Sequence, residues 1–428
     1  MTRARVLGAL ATVLLAASAG AAAPPVLADP VEIGVLVPME GPYAEIGRDI
    51  ADGLDLAFGE SGYVAAGREI VPVYKDTRAR PDVGLERAEE LIAGRVDFMA
   101  GVVSSDVAYA IRDPVAASGI PLLVTVSTAD GLTQEIAAPN IFRTTSSASQ
   151  NGHPLGEWLH ENGYRRLALI GPDYAMGYEA TGGVAHTFTE AGGEVVAAVW
   201  VPLGTTDFGP YLEAAREAEP DAVVATFAGR SARAFLEAFA VSPLRDSVQL
   251  VDTGILTDCT TLMALPDPAI ARGIVSATHY RNCLDIPKNR SFVDAYRTRF
   301  GRAPSLFAES SYVAGRLIVE AIESLGGDLS SPEAVVEAIR TADVSAPRGP
   351  FVFDDFNNPI HTVYLTRITI DGYTFVPAFR RYENVSQFWH WSPEGHITMP
   401  NYADLSNYWV QLPHAKAVSL PPATTMRR

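Results

Sequence analysis

From residue 31 onward, short apolar runs rich in β-branched residues alternate with stretches whose apolar positions recur at helical spacing. The first run, VEIGVLV (31–37), is apolar almost throughout, as expected for a parallel strand covered on both faces. Gly41 and Pro42 mark a turn, after which Ile46, Ile50, Leu54 and Phe58 fall on one helical face. Further strands are predicted over 69–76, 97–103 and 120–126. Between them lie a helix with Asp82 as N-cap, carrying Leu85, Ala88, Leu91 and Ile92, and a helix (SDVAYAIRDPVAASG) that Pro114 cuts short.

Near IFRTTSSASQ (141–150) the series restarts. Strands are predicted over 165–172, 194–202, 221–227, 247–253 and 273–280, then a helix from Ser291, another over 312–327 and a late strand over 361–372. The 428 residues exceed the roughly 250–300 that one core can serve. Two runs of the same alternation therefore predict an α/β protein of two doubly wound parallel-sheet lobes that exchange chain at several crossings. Beyond Tyr382 an aromatic-rich stretch reads as an extension packed over a lobe, and KAVSLPPATTMRR as a disordered tail.

Residues 1–28 carry Arg3 and Arg5, an apolar core over Val6–Ala17 and small residues beyond, the plan of a secretory signal peptide. The apolar core is shorter than the ~20 residues a membrane-spanning helix needs, so the expectation is export without an anchor. Cleavage after Ala28 is preferred to cleavage after Ala23, which would leave Pro24 at the new terminus. Removing the leader takes two of the 33 basic residues and none of the 50 acids, moving the formal charge from −17 to −19. With lysine only at 75, 288 and 416, a nucleic-acid partner and an anionic membrane surface are both disfavoured.

An oxidising compartment permits a disulfide between Cys259 and Cys283, the only two cysteines. They flank a turn-rich segment of 23 residues. Closing that loop would stabilise the fold by roughly 3 kcal/mol. The alternative is two separate buried thiols. Two cysteines alone build no zinc site, and no metal or cofactor is expected.

No catalytic constellation stands out. G-x-S-x-G, a phosphate loop, G-x-G-x-x-G and H-E-x-x-H are all missing, and the eight histidines are dispersed. What recurs is small hydroxyl residues at strand ends: Ser104 and Ser105 after DFMAGVV, then Thr125, Ser127 and Thr128 after IPLLV. In a doubly wound sheet, ligands sit beyond the carboxyl ends of the strands, where hydroxyls and free helix N–H groups suit a carboxylate. Helix capping alone would also explain Ser105 and Thr128.

The segments IGVLVPMEGPYAEIGRDIADGLDLAF, GVVSSDVA, IPLLVTVSTADGLT, IFRTTSSASQ, GPDYAMGYEA, TDFGPYLEAAREAEPDAVVATFAG and APRGPFVFDDFNNPIHTVYLTRI follow one another in a family order. Over about residues 31–380 the chain thereby resembles the type I periplasmic solute-binding proteins of the branched-chain amino acid ABC-transporter group. The resemblance implies two lobes joined by a three-crossing hinge: 29–145 with 279–348, and 146–278 with 349–380, leaving 381–428 as extension and tail. It implies a monomeric, non-enzymatic periplasmic receptor that closes over a small carboxylate and hands it to a membrane permease.

Residue by residue, it implies that Ser104 or Ser105 and Thr128 grip the ligand carboxylate, with the backbone around Val126 and Ser127. Tyr174 or Met176 would cover the ligand from the second lobe, and Phe227 and Arg230 would add contacts. Two positions depart from the amino-acid binders. Thr253, beside Asp252, stands where an acid holds the ammonium group, and Ile46 replaces a first-lobe aromatic, with Tyr43 three residues earlier. The APRGPFVFDDFNNPIHTVYL segment is similar to members that bind aromatic carboxylates, which favours that ligand class over leucine-like amino acids. A sensor for a membrane kinase would have the same lobes, and an exported α/β enzyme is the third alternative.

Overall fold

The first apolar run forms β1 (Val31–Val37), in which every side chain except that of Glu32 is buried. The computed structural model describes residues 29–369, 378–399, 401–404 and 416–419. The leader reading of residues 1–28, the end of the strand predicted over 361–372 and part of the aromatic stretch lie outside the described residues.

After β1 come α1 (Ala44–Glu60), β2 (Val64–Ala65), β3 (Arg68–Asp76), α2 (Pro81–Gly94), β4 (Phe98–Gly101), α3 (Ser105–Ser118), β5 (Leu122–Val124) and β6 (Ile141–Arg143). They build a first sheet in the order β2-β3-β1-β4-β5-β6, parallel except at β2. Ile46, Ile50, Leu54 and Phe58 all point into its core. Asp82 is not the cap of α2: Pro81 opens the helix with Arg80 at the cap position, and Asp82 binds the Arg80 guanidinium. Nor does Pro114 end α3, which runs on to Gly119 because the buried stripe Val107, Ile111 and Val115 packs across the proline.

The second sheet follows: α4 (Gly152–Glu161), β7 (Arg166–Pro172), α5 (Ala175–Glu190), β8 (Glu194–Val201), α6 (Gly209–Arg216), β9 (Ala222–Ala225), α7 (Gly229–Ala240), β10 (Gln249–Asp252), α8 (Cys259–Met263) and β11 (Val275–Thr278). The chain then returns to the first lobe as α9 (Pro287–Phe300), α10 (Leu306–Ser324) and α11 (Pro332–Thr341). Helix α10 lies directly on α1. A side chain at Gly53 would stand 2.3 Å from the Ala308 carbonyl oxygen, so only glycine lets the two backbones approach this closely. A third crossing leads to β12 (Val352–Phe353) and β13 (Pro359–Arg367). At the hinge, the buried Arg348 guanidinium pairs with Glu309, and the Tyr364 hydroxyl donates to the Arg348 carbonyl at 3.1 Å.

The sheet edges differ from the all-parallel expectation. Strand β13 runs antiparallel to β11, and β14 (Arg380–Val385), at the start of the predicted extension, runs antiparallel to β13. The extension continues through α12 (Pro393–Ile397) onto α4 and α5: Trp391 stacks on His186 at 4.2 Å, and the Tyr402 hydroxyl meets His153 Nε2 and His186 Nδ1 at 3.3 and 2.6 Å. The predicted disordered tail instead begins with β15 (Lys416–Ser419), which pairs in parallel with β8.

The expected disulfide is not formed. Cys259 and Cys283 are both free thiols. Asp258 caps α8 and also accepts from Leu306 N–H, which turns the buried Cys259 thiol toward the Pro304 carbonyl at 2.9 Å. Cys283 lies exposed beyond the second crossing, where it lines a groove with Leu284, Gly349 and Tyr364. The length of the loop between two cysteines does not determine where their thiols point.

Candidate functional site

The carboxyl ends of the two sheets face each other, and the loops beyond them touch. From the first lobe, Tyr43 ends the turn before α1 and its phenol meets that of Tyr174, the residue before α5, at 3.1 Å. Burial pushes both phenols above their ordinary range. Nearby, Arg233 of α7 pairs with Glu45 of α1 at 2.8 Å. Gly229 sits under the Pro42 carbonyl, where a Cβ would come within 2.8 Å, and its φ of +57° also favours glycine.

Strand β4 ends at Gly101. Val102 N–H bonds back to the Leu36 carbonyl, and Ser104 and Ser105 follow, both buried at the start of α3. Ser104 occupies the N-cap position, yet its hydroxyl makes no capping bond. Beyond β5 the chain stays pinned to its neighbour through Thr125 N–H to Gly101 O and Ser127 N–H to Val102 O, at 2.9 and 2.8 Å. Val126, Ser127 and Thr128 are all buried. Among the described residues the Thr128 hydroxyl has no hydrogen-bond partner, and its N–H has none either, although its carbonyl accepts from Ala148 N–H. A buried hydroxyl left unpaired is costly, so a capping role does not account for this residue.

On the second lobe, Met176 is buried and its sulfur accepts from the Thr226 hydroxyl at 3.6 Å. Phe227 belongs to a core aromatic group, stacked on Phe235 and edge-on to Phe208, while its rim lines a cavity of about 10 Å³ that Tyr43 closes from the other lobe. Thr253 is buried, and its hydroxyl too is without a partner among the described residues. Asp252 is fully engaged elsewhere. Its carboxylate accepts from the N–H groups of Gly254, Leu256 and Thr257 and from the hydroxyls of Thr257 and Ser276. Arg230 stands exposed on the first turn of α7, and Ile46 is part of the first-lobe core, leaving Tyr43 as the aromatic that reaches the cleft.

Two residues outside the sequence-based set take part in this region. Glu179 of α5 is fully buried and crosses to the first lobe, accepting from the Tyr109 hydroxyl at 2.7 Å and from Asp130 N–H at 3.1 Å. Burial, then the neighbouring Asp130, holds its carboxyl well above the usual range; burial also pushes Asp130 up to about 6. Arg143, at the end of β6, is completely buried and bonds to the carbonyls of Ser127 and Ala129, the Thr133 hydroxyl and Asn358 Oδ1. One signal was available for each: an arginine closing the apolar strand IFR, and a glutamate on a helix face of small residues.

Two parallel-sheet lobes that meet at the carboxyl ends of their strands have the architecture of the solute-binding proteins. The periplasmic binding protein family matches residues 30–373, and the chain belongs to that family. Leu/Ile/Val-binding protein homolog 6 of Brucella melitensis biotype 1 is 30% identical over 369 residues, covering 85% of this chain and 92% of its own. Among solved structures, the chain is similar to an ABC-transporter solute-binding protein from R. palustris in complex with benzoate. Their TM-score is 0.77 at 30% identity, over 82% of this chain and 96% of that one. The corresponding protein of Rhodopseudomonas palustris BisB5, in complex with 3,4-dihydroxybenzoic acid, gives 0.78 at 29% identity over 83% and 98%. The protein is thus a solute-binding component of the ABC-transporter type and not an enzyme.

Proposed function

We propose that the protein captures a small aromatic carboxylate between its lobes in the periplasm and delivers it to the permease of an ABC importer. The observation that carries this reading is the pairing of an unsatisfied Thr128 N–H and hydroxyl with an Asp252 carboxylate whose oxygens are already spent. Donors without acceptors suit an anion. An α-ammonium group would need a free carboxylate, and burying that charge unpaired costs several kcal/mol. The benzoate and dihydroxybenzoate complexes of the two similar proteins support the same class.

A second reading, a branched-chain amino acid ligand, draws on the name of the Brucella relative and on Glu179, a buried second-lobe carboxyl group. Glu179 already accepts from Tyr109 and Asp130, which leaves it less available to an ammonium group. A thermal-shift screen decides between the two. A ligand at 100 times its dissociation constant adds about 2.7 kcal/mol of stability. Benzoate, 4-hydroxybenzoate or 3,4-dihydroxybenzoate should raise the melting temperature. Stabilisation by leucine or valine and by none of the aromatic acids would refute the proposal.

A further inference from the structure

We propose that Arg143 is a positioning residue for the anionic ligand: from behind the binding loop, its guanidinium aims and polarises the Thr128 N–H through the Ser127–Thr128 peptide group. The inference rests on the carboxylate reading above and assigns a role to a residue that does not itself reach the cleft.

The guanidinium makes four hydrogen bonds, all to neutral acceptors: Ser127 O at 2.6 Å, Ala129 O, Thr133 Oγ1 at 3.1 Å and Asn358 Oδ1 at 2.9 Å. Among the described residues, no carboxylate lies within ion-pair distance of it. Burying a cation without an ion-pair partner is expensive, and the fold retains it. Asp130, Glu179 and Asp354 act on it electrostatically without bonding to it, and burial raises all three carboxyl groups.

Peptide geometry sets the direction of the effect. In a trans peptide the C=O and the following N–H point opposite ways. A guanidinium bound to Ser127 O therefore sends Thr128 N–H away from itself. Among the described residues that N–H has no acceptor, and the hydroxyl of the same residue is buried and unpaired. The next peptide that Arg143 holds supplies an internal comparison. There the guanidinium binds Ala129 O, and the Asp130 N–H on the far side meets a carboxyl oxygen of Glu179 at 3.1 Å. Two equivalent relays leave one cation; one ends on a carboxyl group and the other is open. Hydrogen bonds in series polarise one another, so an anionic oxygen at Thr128 gains more from this arrangement than a neutral one. The bond to Asn358 ties the same guanidinium to the turn between β12 and β13, just past the third crossing.

The test compares benzoate with benzamide, a neutral molecule of nearly the same shape, by calorimetric titration of wild-type, Arg143→Lys and Arg143→Met protein. The wild type should prefer benzoate. Arg143→Met should reduce the benzoate-to-benzamide affinity ratio by roughly 10- to 100-fold, the range for losing a charge-assisted hydrogen bond. Arg143→Lys, which keeps the charge but cannot hold both carbonyls, should recover part of that ratio. An equal loss for both ligands, or no loss, overturns the role of Arg143 and leaves the ligand class intact. Failure of the wild type to bind benzoate overturns both. Should Arg143→Met fail to fold, wild-type protein labelled with ¹⁵N-threonine serves instead. Benzoate should move the Thr128 amide proton downfield by more than benzamide does, and equal shifts overturn the proposal.

Discussion

The phenol oxygens of Tyr43 and Tyr174 lie 3.1 Å apart, one from each lobe, and form a hydrogen bond that exists only while the lobes are together. Removing it should leave each lobe's core untouched, since among the described residues neither hydroxyl bonds to another group within its own lobe. Tyr174→Phe should therefore cost roughly 0.5–1.5 kcal/mol of closure, the net worth of one such bond. Apparent ligand affinity should fall about two- to tenfold, because affinity scales with the population of the competent state. Calorimetry on the variant gives the number; an affinity equal to wild type would mean that the bridge plays no part in closure.

Thr128→Val separates a binding hydroxyl from a structural one by the sign of two effects. The hydroxyl is buried and has no partner among the described residues, so a nearly isosteric methyl should leave unfolding free energy unchanged or raise it. Carboxylate affinity should nevertheless drop by roughly 1–3 kcal/mol. Denaturant melts and a benzoate titration on the same preparation measure both. A destabilised protein with wild-type affinity would assign Thr128 to the fold.

How far the sequence reaches depends on whether a contact is local. The period of β1 and the face of α1 were legible because burial repeats along one element, and both match the structure to within a residue or two. The hydroxyls after β4 and β5 were legible because parallel sheets put ligands at carboxyl ends. Arg143 has no legible role within its motif, since only the fold brings Ser127, Ala129 and Asn358 around it. The sequence places Asp252 beside Thr253 and leaves open where its carboxylate points. The turn over 253–257, however, folds its N–H groups back onto the carboxylate. The proline in α3 misled because local propensity was outweighed by a packed face.

The two thiols should behave as unlike single cysteines. Ellman's reagent should titrate two thiols in denatured, unreduced protein and only Cys283 at an appreciable rate in the native state. Cys259 is buried against Pro304, and burial pushes its thiol well above the ordinary range, so thiolate is scarce there. Adding reductant should leave the melting temperature unchanged. A drop in the presence of reductant would indicate a stabilising disulfide after all.

The docked extension should loosen in mild acid. Where it covers α4 and α5, His153, His186 and His396 gather around Trp391 and Tyr402. Burial lowers all three, His396 to about 4, although Glu190 beside His186 pulls that ring the other way. An unfolded histidine titrates near 6.5, so between pH 6.5 and 4 the unfolded state binds more protons than the native one. Stability from this cluster is complete above pH 6.5 and declines as the pH falls through that window. For His396 alone the loss approaches roughly 3 kcal/mol below pH 4. Asp130 and Glu179 act with the opposite sign: their raised values make the native state the better proton binder, so acid favours it. Total stability therefore mixes both trends, and a single melt cannot separate them. The difference between wild type and His396→Gln isolates the histidine, because the carboxyl contributions are common to both. That difference should shrink steadily from pH 7 to pH 4.5, and Trp391 fluorescence should report exposure of the extension over the same range. A difference that stays constant with pH would mean that His396 is not held neutral by its burial.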